Sequence, residues 1–527
     1  MITPNGITSS SGLNVPFVRD SQGRITQITD PMGNQYVYAY DANGNLASVT
    51  YPSVSTPAQY QYDSTHLLTQ ETDQRGNVAG TSTYYANGQL QSVTDAVGNV
   101  TQYAYNTATN TTTVTNPDGG TVVTVADSYG NPLTVTDPLG RTTTNTYDVN
   151  HNLITATDPL GNITSYTYDA NGFRASKKDP LGHTDTAVYN AFGGPTLLED
   201  PLGNTIAGTY DSLERPTQFS DGIGQLATVA YDGFGNVTSF TDAGGSTSQL
   251  TYDSTGNVLT VTDTLNRKRT NTYDLMGNLL STQDPRGNSI QYAYDQLGHL
   301  VQTTDATGKT TVYAYDGNGN RTSVVDPLQH RTAYTYDAAN RLAQTSYPDG
   351  TASSATYDWR GNVLTQIDQA GHVNMYVYDL AGELTGVTQG LGTADASTVS
   401  YAYDGAGRTS TETDARGNVT GYAYDAAGRV LSITTASGAT VLTYDPDGRR
   451  TSLTDPDNRV TQYTYDSRGR LSKTTYPDGT TSQSTYDGYG RLLTFTDQAG
   501  NVTTRSYDAA GQLISVVDAL NHASATI

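Results

Sequence analysis

Residues 162–182 read Asn162-Ile-Thr-Ser-Tyr-Thr-Tyr168, Asp169-Ala-Asn-Gly172, Phe173-Arg-Ala-Ser-Lys-Lys178, Asp179-Pro-Leu-Gly182. The first seven alternate with period two and place Asn162, Thr164, Tyr166 and Tyr168 on one face of a strand. Asp169-Ala-Asn-Gly172 is a turn, in which the Asp accepts hydrogen bonds from the following backbone and the Gly supplies a positive φ. Asp179-Pro-Leu-Gly182 is a second turn, with Pro presetting φ at its second position. Strand, turn, strand and turn fill 21 residues.

That length is the period of the chain. Tyr-Asp pairs begin at Tyr147, Tyr168, Tyr210, Tyr231, Tyr252, Tyr273, Tyr294, Tyr315, Tyr336, Tyr357 and Tyr378, each a step of 21 or twice 21. Tyr40 and Tyr62 precede the series, and it resumes from Tyr403 to Tyr507. Degenerate copies such as Arg19-Asp20 and Tyr105-Asn106 bring the count to 24 registers, 19 with an intact pair. The reading divides the chain into an N-terminal lead-in, residues 1–14, and one repeat array, residues 15–527. A small-residue insertion near 386–398 makes the step from Tyr378 to Tyr403 25 residues long. The next Tyr would fall at position 528 and the chain ends at Ile527, so the reading expects an array cut in mid-repeat.

No helix of even ten residues fits between the Gly-containing turns, whereas a meander of antiparallel hairpins does. The fold class is therefore all-β. About 48 strands at about 4.8 Å each make a ribbon roughly 230 Å long. Open twisted sheets rarely pass ~10 strands before curling or splitting. The ribbon must coil, and packing successive coils edge to edge would cover the rims and bury Tyr. The expected architecture is a spiral wall that can enclose a space. The second strand of each repeat leaves one point open. Leu46 and Val49 have opposite parity, as do Val258 and Val261, so either both faces are partly buried or a bulge lies between them.

Composition agrees with a wall built of turns. The chain has 527 residues, a net charge of −23, 35% apolar residues, 40 Tyr, 7 Phe and 1 Trp. Disordered chains are poor in aromatic and β-branched residues, and this one is rich in Tyr, Thr and Val. Asp makes up 46 of the 51 acids, and 42 of those Asp fall in turn registers. The absence of Cys excludes a disulfide framework, a zinc ribbon and a thiol nucleophile. No run approaches 18 apolar residues, the length of a membrane-spanning helix. The opening Met1-Ile-Thr-Pro has neither the basic nor the apolar region of a secretory signal. Strong acidity without a basic patch argues against a nucleic-acid partner.

No catalytic, cofactor-binding or metal-binding residue is assigned. The seven His (His66, His151, His183, His299, His330, His372 and His522) are scattered, and most fall in or beside turns. No local signature selects a Ser-His-Asp set from them. Asp41-Ala-Asn-Gly-Asn45 and Asp316-Gly-Asn-Gly-Asn320 resemble the start of a calcium loop, but Pro52 and Pro327 stand where an EF-hand needs Glu. Rows of Tyr at 21-residue spacing could stack on sugars. The plainer reading makes them the core of the wall, replacing the missing Leu and Phe.

The unit Tyr-x-Tyr-Asp-x-x-Gly-Arg-Leu reads Tyr-Ala-Tyr-Asp-Ala-Ala-Gly-Arg-Val at 422–430 and Tyr-Thr-Tyr-Asp-Ser-Arg-Gly-Arg-Leu at 463–471. It resembles the Rhs/YD-repeat family, which includes bacterial Rhs polymorphic toxins, Tc toxin shell components and teneurins, over roughly residues 15–527. The resemblance implies a large β-spiral cocoon. In the bacterial members the cocoon encloses a C-terminal toxin domain, and in teneurins the shell belongs to a cell-surface adhesion receptor. It implies a non-catalytic shell segment of a secreted or cell-surface protein, exported by a dedicated system or as part of a longer chain. Its partner would be a cargo domain absent from these residues. The alternative is a surface or wall-associated adhesin that binds glycans or neighbouring cells. Asp137-Pro-Leu-Gly-Arg141 and its copies at Asp158, Asp179 and Asp200 lack the Leu of the family's Asp-Pro-x-Gly-Leu closure, so no protease residue is carried over.

Overall fold

A computed structural model describes residues 2–509 and 511–525. The expected cut at Ile527 lies outside the described residues. Fifty-one strands form one unclosed sheet, each paired antiparallel with the strands before and after it in sequence. Among the described residues there is no helix. Within the lead-in, Ile2–Thr3 and Gly6–Thr8 form a short hairpin that leads into Asn14–Arg19.

The parity puzzle resolves as a bulge. Where Gln35–Tyr40 pairs with Leu46–Thr50, Ala39 faces Ser48 and Tyr40 faces Leu46, leaving Ala47 as the extra residue. The same shift leaves Leu259 over between Val258 and Thr260. One extra residue moves everything after it to the other face, so Leu46 and Val49 share a side. Repetition of the bulge also adds twist in the same sense at hairpin after hairpin, which suits a ribbon that must coil.

Both turns of the repeat are the same object. In the second turn at Asp137, Oδ1 accepts the N–H groups of Leu139 and Arg141 at 2.9 Å, and Oδ2 accepts Arg141 Nε at 2.6 Å. In the Tyr-Asp turn at Asp41, Oδ1 accepts the N–H groups of Asn43 and Asn45 at 2.9 Å, and Oδ2 accepts Asn45 Nδ2 at 2.9 Å. The Asp thus binds the backbone two and four residues on, and the side chain at the fourth place locks its second oxygen. The side-chain amide of Asn45 and then its backbone N–H hold the Asp41 carboxyl below the usual range.

The sheet has no second layer. Each strand touches only its sequence neighbours, and the buried apolar residues are Val49, Ala58 and Leu442. This corrects the expectation that Tyr forms a buried core, because a single-layer wall has no opposing layer to cover the rings. The Tyr residues instead lie half-buried along one face. In the Tyr-Asp column the hydroxyls donate to the carbonyl 15 residues earlier, as from Tyr40 to Ile25, Tyr168 to Leu153, Tyr252 to Val237 and Tyr465 to Arg450, at 2.7–3.0 Å. Where the fourth place of the preceding Tyr-Asp turn is Arg, its guanidinium covers the ring, with Arg24 4.4 Å from Tyr40 and Arg408 4.6 Å from Tyr424.

Candidate functional site: the seam between coils

All Tyr-Asp turns lie on one rim of the ribbon and all second turns on the other. When the ribbon coils, a second turn must therefore meet a Tyr-Asp turn of the next coil. The structure joins them at a constant offset. Gln74 N donates to Asn318 Oδ1, Arg360 Nη1 to Asp118 Oδ2, Arg141 Nη1 to Glu383 Oε1, and Arg468 Nε to Asp221 Oδ2, with offsets of 244, 242, 242 and 247 residues. Each spans 23 strands. At about 4.8 Å per strand, one coil is roughly 110 Å around and about 35 Å across. Fifty-one strands make just over two coils. Among the described residues, no strand contacts any strand but its sequence neighbours.

The firmest pin is the Asp221–Arg468 pair. Arg468 holds both carboxylate oxygens of Asp221, with Nε at 2.6 Å and Nη2 at 3.1 Å, and its Nη1 donates to Gly488 O at 2.9 Å. Their side chains are 12% and 15% exposed. Hydrogen bonding from Arg468 pulls the Asp221 carboxyl down to about 2. Asp118 is gripped by Arg360 at 2.7 Å and by Trp359 Nε1 at 3.2 Å, while the Arg360 guanidinium lies 4.2 Å from the Trp359 ring centre.

Between these pins the rims fit large against small. Leu160, at the third place of its turn, lies over Gly405, where a Cβ would come within 2.8 Å of the Leu160 side chain. Tyr489 occupies the space beside Gly244 and leaves no room there for a Cβ. The Tyr489 hydroxyl hydrogen-bonds Ser246. Neither Gly244 nor Gly405 adopts positive φ, so close approach of the coils, not the turn, requires Gly there.

The residues weighed from sequence fall elsewhere. His183, His299, His330, His372 and His522 occupy the fourth place after a turn Asp and place Nδ1 2.9–3.0 Å from its Oδ2. His66 Nδ1 lies 2.7 Å from Asn45 Oδ1, and His151 Nδ1 lies 3.1 Å from Asn131 Nδ2. These His remain apart from one another, each in its own turn. Asp41 and Asp316 give their oxygens to their own turns, Asp316 through Asn318 N, Asn320 N and Asn320 Nδ2. The hydroxyls of the Tyr-Asp column, such as those of Tyr168 and Tyr315, are committed to backbone carbonyls. Sequence reading missed the seam pins, whose partners lie more than 240 residues apart.

The profile described as RHS Repeat matches residues 19–53, 84–121, 127–163, 147–184, 231–268, 444–481 and 486–523. The profile of the Teneurin YD-shell matches 268–422. No curated protein matches the chain. Among solved structures, TcdB2-TccC3-Cdc42 aligns over 96% of this chain and 31% of its own, at 16% identity and a TM-score of 0.64. TcdB2-TccC3 aligns over 98% and 40%, at 14% and 0.60. The Photorhabdus luminescens Tc holotoxin pore aligns over 96% and 32%, at 16% and 0.62. The chain thus spans about a third of the length of the first solved chains it matches.

Proposed function

The chain belongs to the Rhs/YD-repeat family, and from that premise we propose that it is a wall segment of a secreted toxin shell, without chemistry of its own, that encloses a cargo domain carried outside these residues. The observation that carries the reading is the seam. A single-layer sheet with almost no apolar core joins itself rim to rim every 23 strands. A wall pinned in this way resists local opening, while the space it surrounds, roughly 35 Å across between wall centres, can accept a small folded or partly folded domain. The matched TcdB2-TccC3 structures supply the fold precedent. The glycan-binding alternative has less support, because the Tyr-Asp column, one of the two Tyr rows, spends its hydroxyls on the wall.

The test is protease protection in the longer protein. The sequence that follows Ile527 in the reading frame should stay intact under limited proteolysis while the array is folded, and should be cleaved once the array is unfolded. Cleavage of that sequence at equal rates in both states overturns the reading. A glycan array that returns a specific ligand would transfer support to the adhesin alternative.

A further inference from the structure

At one place the seam sets two carboxyls on the same cavity. Asp200 opens the second turn Asp200-Pro-Leu-Gly203 of the first coil, and Asp447 holds the third place of the Tyr-Asp turn Asp445-Pro-Asp-Gly448 of the second. Other ion contacts across the seam among the described residues join opposite charges, as in Asp118–Arg360, Arg141–Glu383 and Asp221–Arg468. Asp200 and Asp447 line one cavity of about 1190 Å³, set between the coils.

The two carboxyls differ in what they still need. Asp200 is fully engaged as an acceptor, with Oδ1 taking Leu202 N at 3.0 Å and Asn204 N at 2.8 Å, and Oδ2 taking Asn204 Nδ2 at 2.7 Å. Asp447 is 14% exposed, and its Oδ2 lies 3.3 Å from Arg449 Nη2. Its Oδ1 is sealed from solvent and receives no hydrogen bond. A buried acceptor without a donor is costly, and a second carboxylate beside it adds repulsion. A proton on Asp447 removes both penalties at once.

We propose that Asp447 holds a proton and shares it with Asp200, and that this proton latches the coils together beside the cavity. Loss of the proton sets two carboxylates against each other and loosens the wall at that point. The surrounding charges leave this arrangement in place. On the second coil, Arg449 pairs closely with Asp445 at 2.7 Å and reaches only Oδ2 of Asp447, at 3.3 Å, leaving Oδ1 without a donor. Arg468 is taken by Asp221. On the first coil, Glu199 and Asp185 add negative charge to the cavity wall, Lys177 lies across it, and His183 is bound to Asp179. Burial and then the charge of Asp200 push the Asp447 carboxyl above its ordinary value. Burial also acts on Asp200, but the Asn204 side chain and backbone keep it below.

The sign follows from linkage. The closed seam binds one proton more than the open seam, so closing is favoured as pH falls through the raised Asp447 value and disfavoured above it. Hydrogen exchange, corrected for the intrinsic rate, reads this on the amides of residues 444–450 in the full chain. The wild type should be several-fold better protected at about pH 4.5 than at pH 7. Asp447→Asn, whose amide donates to Asp200 at any pH, should be equally protected at both, and Asp200→Asn should likewise flatten the pH response. Asp457→Asn, in a second turn of the second coil, should leave it unchanged. Equal wild-type protection at the two pH values overturns the latch. So does an Asp447→Asn protein less protected than wild type at pH 7, which would make the Arg449 pairing the dominant contact. The readout is local to the seam, so it stands or falls independently of whether the shell holds cargo.

Discussion

The second turns of the first coil and those of the second coil are built alike but meet different surroundings. Both begin with a residue whose N–H donates the closing bond of a five-residue loop to the carbonyl four residues on, as at Asp158 and Asp326. They differ at the third place. Where the next coil sits on the rim, that place is mostly aliphatic, as in Val97, Leu139, Leu160, Leu181, Leu202, Ile223 and Leu265, and is Ser53, Arg75, Asp118 or Gly244 where it bonds the next coil or makes room for it. On the rim that no described residue covers, it holds Arg286, Thr307, Asp349, Ala370, Arg416, Asp457 and Asp478, with Leu328 and Leu520 as exceptions. The covered Leu residues are 41–47% exposed, against 73% for Leu328 and 75% for Leu520. The Asp frame makes the turn, and the third residue adapts it to stacking. Copies of one repeat can therefore be interchangeable as hairpins and not interchangeable as parts of a spiral.

Breaking the strongest pin should expose that division most clearly. Arg468→Ala leaves Asp221 half-buried without its partner and should cost about 2–3 kcal/mol of seam stability, read as a lower denaturant midpoint. The effect has a pH signature. The Asp221 carboxyl is held at about 2 in the folded protein, so its contribution is fully present above the ordinary Asp value of about 3.9 and is lost as pH falls towards 2. The stability gap between wild type and Arg468→Ala should be constant above about pH 5 and close between about pH 4 and pH 2. A gap that stays open in acid would mean that Arg468 works through packing and not through the ion pair.

A smaller effect should separate the two rims directly. Leu160→Asp places a charge over Gly405 and should cost about 1–2 kcal/mol, whereas Leu328→Asp, in the same turn position on the uncovered rim, should stay within about 0.5 kcal/mol. Thermal melts of the two variants side by side read the difference. Equal costs would show that the third residue serves the hairpin itself, and the rim comparison would fail.

The hairpins were legible because everything that makes them is local. Asp169, Gly172, Asp179 and Gly182 carry their partners within four residues, and a 21-residue period repeats the message until noise averages out. The fourth-place side chain was equally local and was overlooked. Asn45, Arg141 and His183 stand in one column, and one role, closing the second oxygen of the turn Asp, unites their different chemistries. The bulge at Ala47 could not be chosen from one strand, because it is a property of pairing. The Tyr rows were misjudged because a folded chain was assumed to need a core, whereas a single-layer wall holds its rings flat on its own backbone. The seam was out of reach for a different reason. Nothing within a repeat states that 23 strands close a coil, so Asp221 gives no hint that its partner is Arg468, and Gly244 none that it makes room for Tyr489.

The Tyr-Asp rim offers the same comparison with the smallest expected effect. Tyr129, Phe192, Leu213 and Phe234 occupy turn positions on the first coil that Tyr489 occupies on the second, and Phe234 is 89% exposed where Tyr489 is wedged over Gly244. Phe234→Ser removes a ring that already faces water and should change stability by no more than about 0.5 kcal/mol. Tyr489→Ser takes away both the ring that fills the space beside Gly244 and the hydroxyl that meets Ser246, and should cost several times as much. The pair shares its turn frame, since both residues sit third in an Asp-Gly-x-Gly turn, Asp232–Gly235 and Asp487–Gly490. If chemical denaturation finds the two substitutions equal, coverage by the next coil is not what gives that position its weight. If only Tyr489 matters, Phe234 contributes nothing to the stability of this chain, and the weight of that turn position comes from the coil that covers it.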